Sequence, residues 1–162
     1  MAATQEQAAQ RMLDAFMNVR GTVSVSLVGS FWSHRRAGDC GDIDVVVIGR
    51  RLDRTFFDHC LRTAEALTPH DLGLPAGALR VKASFGPLKF DTPGTAVLHL
   101  MVYDQAGHRE HVLKSPFTCY DWELSRRHAG PSLAEIYPVF KLQPRDFTLA
   151  RRGLADYLAD LH

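Results

Sequence analysis

The sequence predicts a mixed α/β domain whose sheet carries a helical C-terminal region. Three observations predict it. Thr22 to Val28 and Ile43 to Ile48 are short β-branched, apolar runs with strand character. The stretches Gln5 to Val19 and Leu52 to Leu67 carry apolar residues at helical spacing. From Pro116 onward the segments read as helices separated by turn residues.

The first helix places Ala8, Ala9, Met12, Leu13, Phe16 and Met17 on one face, and Gly21 ends it. The strand Thr22 to Val28 follows, and Gly29-Ser30 break its pattern. Phe31 to Arg36 reads as a short helix and Gly38 to Gly41 as a loop. Ile43 to Ile48 is almost unbroken in its apolar character, which suits a central strand. Leu52 to Leu67 repeats Phe56, Phe57, Cys60, Leu61, Ala64 and Leu67 at helical spacing, and Pro69 stops it. Thr68 to Gly77 reads as loop. Leu79 to Phe85 alternates as an amphipathic strand does, Leu88 to Phe90 extends the sheet, and Asp91 to Gly94 is a turn by composition. Thr95 to Tyr103 is the longest strand, Asp104 to Gly107 a second turn, and His111 to Leu113 one more short strand. Helices are expected at Tyr120 to Arg127, Ser132 to Tyr137 and Arg145 to Leu161, the last opening on Pro144 and an acidic first turn. Residues 1–115 are thus expected to form the core and 116–162 a helical region packed on it.

The 162 residues are 46% hydrophobic and 23% charged, an ordinary globular balance for one domain. A chain of this size buries about 70% of its unfolded surface and needs no covalent staples. The net charge of +1 argues against a dedicated nucleic-acid coat, so nucleic acid is an unexpected partner. The basic residues are 15 Arg and 4 Lys, and the arginine fork suits phosphates and carboxylates. No apolar run reaches the ~18–20 residues of a membrane span. Residues 1–20 lack the apolar centre of a signal peptide. Cys40, Cys60 and Cys119 are scattered, which suggests neither a disulfide framework nor a zinc site. A reducing, cytoplasmic setting is the expectation.

The chemistry concentrates in residues 25–49, VSLVGSFWSHRRAGDCGDIDVVVIG. A strand ends in Gly29-Ser30, and after an eleven-residue gap comes Asp42-Ile43-Asp44 leading into Val45-Val46-Val47. Carboxylates at i and i+2 of a strand point to one face. Such a repelling pair is best tolerated around a cation, and Mg²⁺ typically takes one or two carboxylates together with substrate phosphates. A small residue pair between a strand and a short helix offers backbone N–H groups to those phosphates.

These residues resemble the signature of the polymerase-beta-like nucleotidyltransferases, a superfamily that includes antibiotic nucleotidyltransferases, poly(A) and CCA-adding enzymes and minimal bacterial members. The resemblance is strongest over residues 22–50, extends over residues 5–104 and leaves out the C-terminal helices. It implies the mixed-sheet nucleotidyltransferase fold with a helical C-terminal extension. It also implies an NTP held by Gly29 and Ser30, with Arg35 (or Arg36) as a triphosphate contact, and two Mg²⁺ ions on Asp42 and Asp44. The implied reaction moves an NMP to an acceptor hydroxyl and releases pyrophosphate.

One feature departs from that pattern. The family usually carries a third carboxylate on a later strand, often as Asp-apolar-His. In TAVLHLMVY the corresponding position is Val97, while His99 is kept. His99, Asp91 and Asp104 are the candidates to replace it, and a homodimer would add Glu123, Glu135 and Asp146 from a second copy. Each residue also has an ordinary reading. Asp42 and Asp44 alone would be solvated residues at a strand start, and Gly29-Ser30 alone a turn. His99 in an apolar strand is most often a satisfied sheet histidine. His34, Arg35 and Arg36 suit a surface helix tip, and Lys82 and Lys89 a solvated sheet face. Asp91 and Asp104 read as turn residues. Arg126, Arg127, Arg151 and Arg152 suit solvated helix faces or an acceptor contact. Phe117, Tyr120, Trp122 and Tyr137 suit tail packing or an aromatic acceptor pocket.

The expectation is therefore an Mg²⁺-dependent nucleotidyltransferase that acts on a small-molecule hydroxyl. The alternative is a non-catalytic nucleotide-binding or antitoxin-like partner protein that keeps the fold.

Overall fold

Helix α1 (Gln5–Met17) opens the chain, and its start is written in the sequence. Thr4 and Gln7 form a reciprocal capping box, which satisfies donors that a helix end would otherwise leave unpaired. Its apolar face buries Ala8, Ala9, Met12, Leu13 and Phe16, the positions the spacing selects. Strand β1 (Thr22–Val28) follows and runs into the one-turn helix α2 (Ser30–Ser33). Strand β2 (Asp42–Gly49) leads to helix α3 (Arg54–Glu65), where Asp53 accepts a hydrogen bond from the Phe56 amide as N-cap. These elements belong to a computed structural model that describes residues 4–33, 42–74, 77–83, 95–140 and 142–160. Expectations for His34, Arg35, Arg36, Cys40, Lys89, Asp91 and the 88–90 strand lie outside the described residues.

The segment 68–77 contains a short 3-10 helix at His70–Leu72. It is tied to α1 by the Arg11–Asp71 ion pair at 2.5 Å. Strand β3 (Ala78–Lys82) and strand β4 (Thr95–Asp104) then complete the central sheet. The spatial order is β3-β4-β2-β1, with β3, β4 and β2 parallel and β1 antiparallel to β2. A parallel connection needs a crossover, which α3 and the 3-10 segment supply between β2 and β3.

Three expectations change in the second half. His111 to Leu113 belongs to helix α4 (Gln105–Lys114), not to a strand. Asp104, expected in a turn, is the N-cap of that helix and accepts from the Gly107 amide at 2.8 Å. Only His108 and Val112 are buried in α4, so its apolar stripe is too thin to show as periodicity. The helix expected at Tyr120 to Arg127 is α5 (Pro116–Glu123), which starts on Pro116 as that residue favours. Past α5 the chain extends and forms β5 (His128–Ala129), which pairs antiparallel with β1 as the fifth strand. Gly130, at φ 76°, turns it away against the backbone of Val23, where a Cβ would collide. Ser132 and Glu135 then cap helix α6 (Leu133–Ile136), and α7 (Pro144–Asp160) ends the described chain.

The sheet separates two apolar layers. On one face Val25, Leu27, Val45, Val47, Leu98 and Leu100 pack against Met12 and Phe16 of α1 and Phe56 and Cys60 of α3. On the other, Val28, Val46, Ile48, Met101 and Tyr103 pack under Leu133, with Trp122 and Ile136 at the margin. Each fully buried large side chain contributes about 1.5–3 kcal/mol. Burial also pushes the Cys60 and Cys119 thiols up to about 12, which fits inert packing residues.

Candidate nucleotide and metal site

The second sheet face is apolar only along part of its length. Toward the start of β2 the same face carries Asp42 and Asp44, and the strand period places both beside Val46 and Ile48. Ile43 and Val45 point the other way and are fully buried. Sheet register then assembles the neighbours. Asp44 lies opposite Val28 on β1 and His99 on β4, and Lys82 on β3 pairs with His99. One row therefore reads Lys82, His99, Asp44, Val28. The next reads Arg80, Val97, Asp42.

The two carboxylates stand in different surroundings. Burial first, and the Asp44 charge second, push the Asp42 carboxyl above its ordinary value of 3.8. Its own backbone N–H and His99 act in the opposite direction. Asp44 meets His99, whose Nδ1 lies 3.3 Å from Asp44 Oδ1. His99 Nε2 is buried and has no hydrogen-bond partner among the described residues. The Trp32 indole N–H donates to the Asp44 carbonyl oxygen at 3.2 Å, which ties α2 to β2.

Gly29 follows β1 with φ 83°, a left-handed conformation that glycine adopts without strain. A Cβ there would collide with Asp44 Oδ2. Gly29 is thus brought against Asp44. Gly29 and Ser30 also line a cleft of about 450 Å³ whose far wall comes from residues 121–127.

The candidates to replace a third carboxylate separate cleanly. Val97 is the register partner of Asp42 and only 7% exposed, so an apolar side chain occupies that position. Asp104 pairs with Gly49 at the other end of β2, seven residues or roughly 23 Å along the strand from Val97. Both its oxygens are engaged, one with the Gly107 amide and one with the Leu52 amide. It does not reach the site. Glu123, Glu135 and Asp146 each accept a backbone N–H of their own chain, from Val139, Ser132 and Gln143. Arg80 was missed by the sequence reading, although the alternation of β3 puts it on the same face as Lys82.

Of the four tail aromatics, Phe117 and Tyr120 line one cleft with Phe147, and Trp122 and Tyr137 lie apart from it. Trp122 packs beneath the sheet and against His111, Phe117 pairs with Phe147, and Tyr137 pairs with Phe140. Arg127 pairs with Glu6 at 2.7 Å, and Arg151 and Arg152 are exposed on α7.

Two carboxylates on one face suit a hard cation that completes its shell with water and phosphate oxygens. The added charge of a cation would also relieve the repulsion at Asp42. Among the described residues no group of three or more His, Cys, Asp or Glu is arranged to hold a metal alone. Among the described residues no helix is long and apolar enough to cross a membrane. No family model, no curated protein and no solved structure gives a significant match to this chain.

Proposed function

We propose that this protein is an Mg²⁺-dependent nucleotidyltransferase that moves an NMP from an NTP to a hydroxyl of a small-molecule acceptor. The observation that carries the reading is the meeting of Gly29 and Asp44. A left-handed glycine clears the space for a carboxylate that shares a strand face with Asp42. In this reading Asp42 and Asp44 hold Mg²⁺, which supplies charge neutralisation at the phosphates. Gly29 and Ser30 receive the terminal phosphates. His99 is a positioning residue that donates from Nδ1 to Asp44 and holds its rotamer. In the transfer, the acceptor O–H gives its proton to solvent water and its oxygen bonds to the α-phosphorus. The α–β phosphoanhydride bond breaks, and pyrophosphate leaves with the electron pair. The expected setting is the cytoplasm.

A second reading has its own observation. Val97 beside Asp42 and the buried Nε2 of His99 leave no described group placed to take the acceptor proton. That favours a non-catalytic nucleotide-binding or antitoxin-like partner protein with the same site. The test is incubation with each of four α-labelled NTPs, Mg²⁺ and cell extract. Label transfer with pyrophosphate release, lost in Asp42→Asn/Asp44→Asn, supports the enzyme. Mg²⁺-dependent NTP binding without transfer to any extract component supports the binding protein.

A further inference from the structure

The geometry points to Arg126 as a polyphosphate-binding residue, delivered to the nucleotide site by the C-terminal tail. The inference rests on the nucleotide reading above and extends it to a segment outside the resembling region. The cleft that Gly29 and Ser30 line has two walls. Gly29, Ser30 and Trp32 form one, and Asp121, Arg126 and Arg127 contribute to the other.

The second wall is fastened to the first. The Ser125 hydroxyl donates to the Leu27 carbonyl, and the Leu27 amide donates to the Arg127 carbonyl at 2.9 Å. The Arg127 amide in turn donates to Ser125 Oγ at 3.3 Å. These bonds continue the β1–β5 ladder to Leu27, two residues before Gly29. Residues 125–127 are therefore held as an extension of the sheet at the rim of the cleft.

The charges on that rim have different commitments. The Arg127 guanidinium is engaged by Glu6 across the surface. Arg126 is exposed and, among the described residues, has no ion pair or side-chain hydrogen bond. Asp121 lines the same cleft with the opposite charge. A guanidinium carried on this fastened backbone, at the rim of a cleft that Gly29 and Ser30 also line, suits the charge of a polyphosphate. The tail would then both cover the sheet and bring a cation to the Gly-Ser turn.

The experiment measures binding of Mg²⁺ complexes of each NTP and of inorganic tripolyphosphate, by calorimetry and by Trp fluorescence. Wild type is compared with Arg126→Ala, Arg126→Lys, Asp121→Asn and Asp44→Asn, with thermal melts as a folding check. The expected result is that Arg126→Ala weakens both ligands about tenfold or more, the range of a lost charge-assisted bond. Arg126→Lys recovers part of the loss, Asp121→Asn tightens both ligands, and the melts are unchanged. Wild-type NTP binding that Arg126→Ala leaves intact would overturn the role of Arg126 while the nucleotide site stands. Weakened NTP with unchanged tripolyphosphate would place Arg126 on the nucleoside and overturn the polyphosphate assignment. Absence of NTP binding in wild type would overturn the nucleotide reading, and this inference with it.

Discussion

Gly29 leaves open the space that the Asp44 carboxylate fills. Its φ of 83° and the position of Asp44 Oδ2 exclude a side chain there for two separate reasons. Gly29→Ala is expected to destabilise the fold by about 1–2 kcal/mol from the left-handed backbone alone. It is also expected to rotate Asp44 off His99. Urea unfolding reads the first effect, and Mg²⁺·NTP affinity reads the second.

Asp42 is held beside Asp44 in a half-buried place, and both conditions penalise its charge. Asp42→Asn should therefore leave the metal-free protein as stable as wild type or more so. The same variant should lose the stabilisation that Mg²⁺ and NTP give together. Parallel thermal melts with and without the ligands check both halves.

Val97 stands next to Asp42 where a third carboxylate would complete an acidic cluster. Val97→Asp is expected to lower metal-free stability by about 1–3 kcal/mol, the cost of a poorly paired buried polar group. Mg²⁺ should recover a large part of that loss, and divalent-cation affinity should rise above wild type. Calorimetric titration with Mg²⁺ checks the sign.

His99 touches Asp44 through Nδ1 while its Nε2 is buried. Asn places an amide N–H near the position of Nδ1, so His99→Asn should keep most Mg²⁺·NTP affinity. His99→Leu should lose about tenfold, the scale of one hydrogen bond to a charged group. Equal loss in both variants would contradict the positioning role.

Away from the site, hydrogen bonds from Thr68 lead the causes that hold the Asp71 carboxyl at about 2, and Arg11 adds to them. A lowered folded-state value stabilises the protein above the unfolded value. That contribution disappears as pH falls through about 2. The stability gap between wild type and Asp71→Asn should be constant above about pH 4, stay under about 1 kcal/mol, and close toward pH 2. Denaturant titrations at stepped pH measure it.

Much of this was legible in the sequence because the signals were local. Thr22 to Val28 matches β1 at both ends, and the carboxylate spacing placed Asp42 and Asp44 on one face. What local signals could not carry was sheet order. That Val97 neighbours Asp42, and that Asp104 lies far from both, follows from a parallel register set by residues 55 positions apart. The tail was the least legible part. β5 has two residues and no apolar alternation, and its place depends on Gly130 fitting against Val23. Arg126 read as a residue on a helix face for that reason, although it lies on a strap beside the motif.

The most direct test of the central claim is the thermal shift produced by NTP and Mg²⁺, separately and together, in wild type and in Asp42→Asn/Asp44→Asn. At 100 times the dissociation constant, the combination should stabilise wild type by about 2.7 kcal/mol. Either component alone should do far less, and the double variant should not respond. No combined shift in wild type, or an equal shift in the double variant, would contradict a metal–nucleotide site at Asp42 and Asp44.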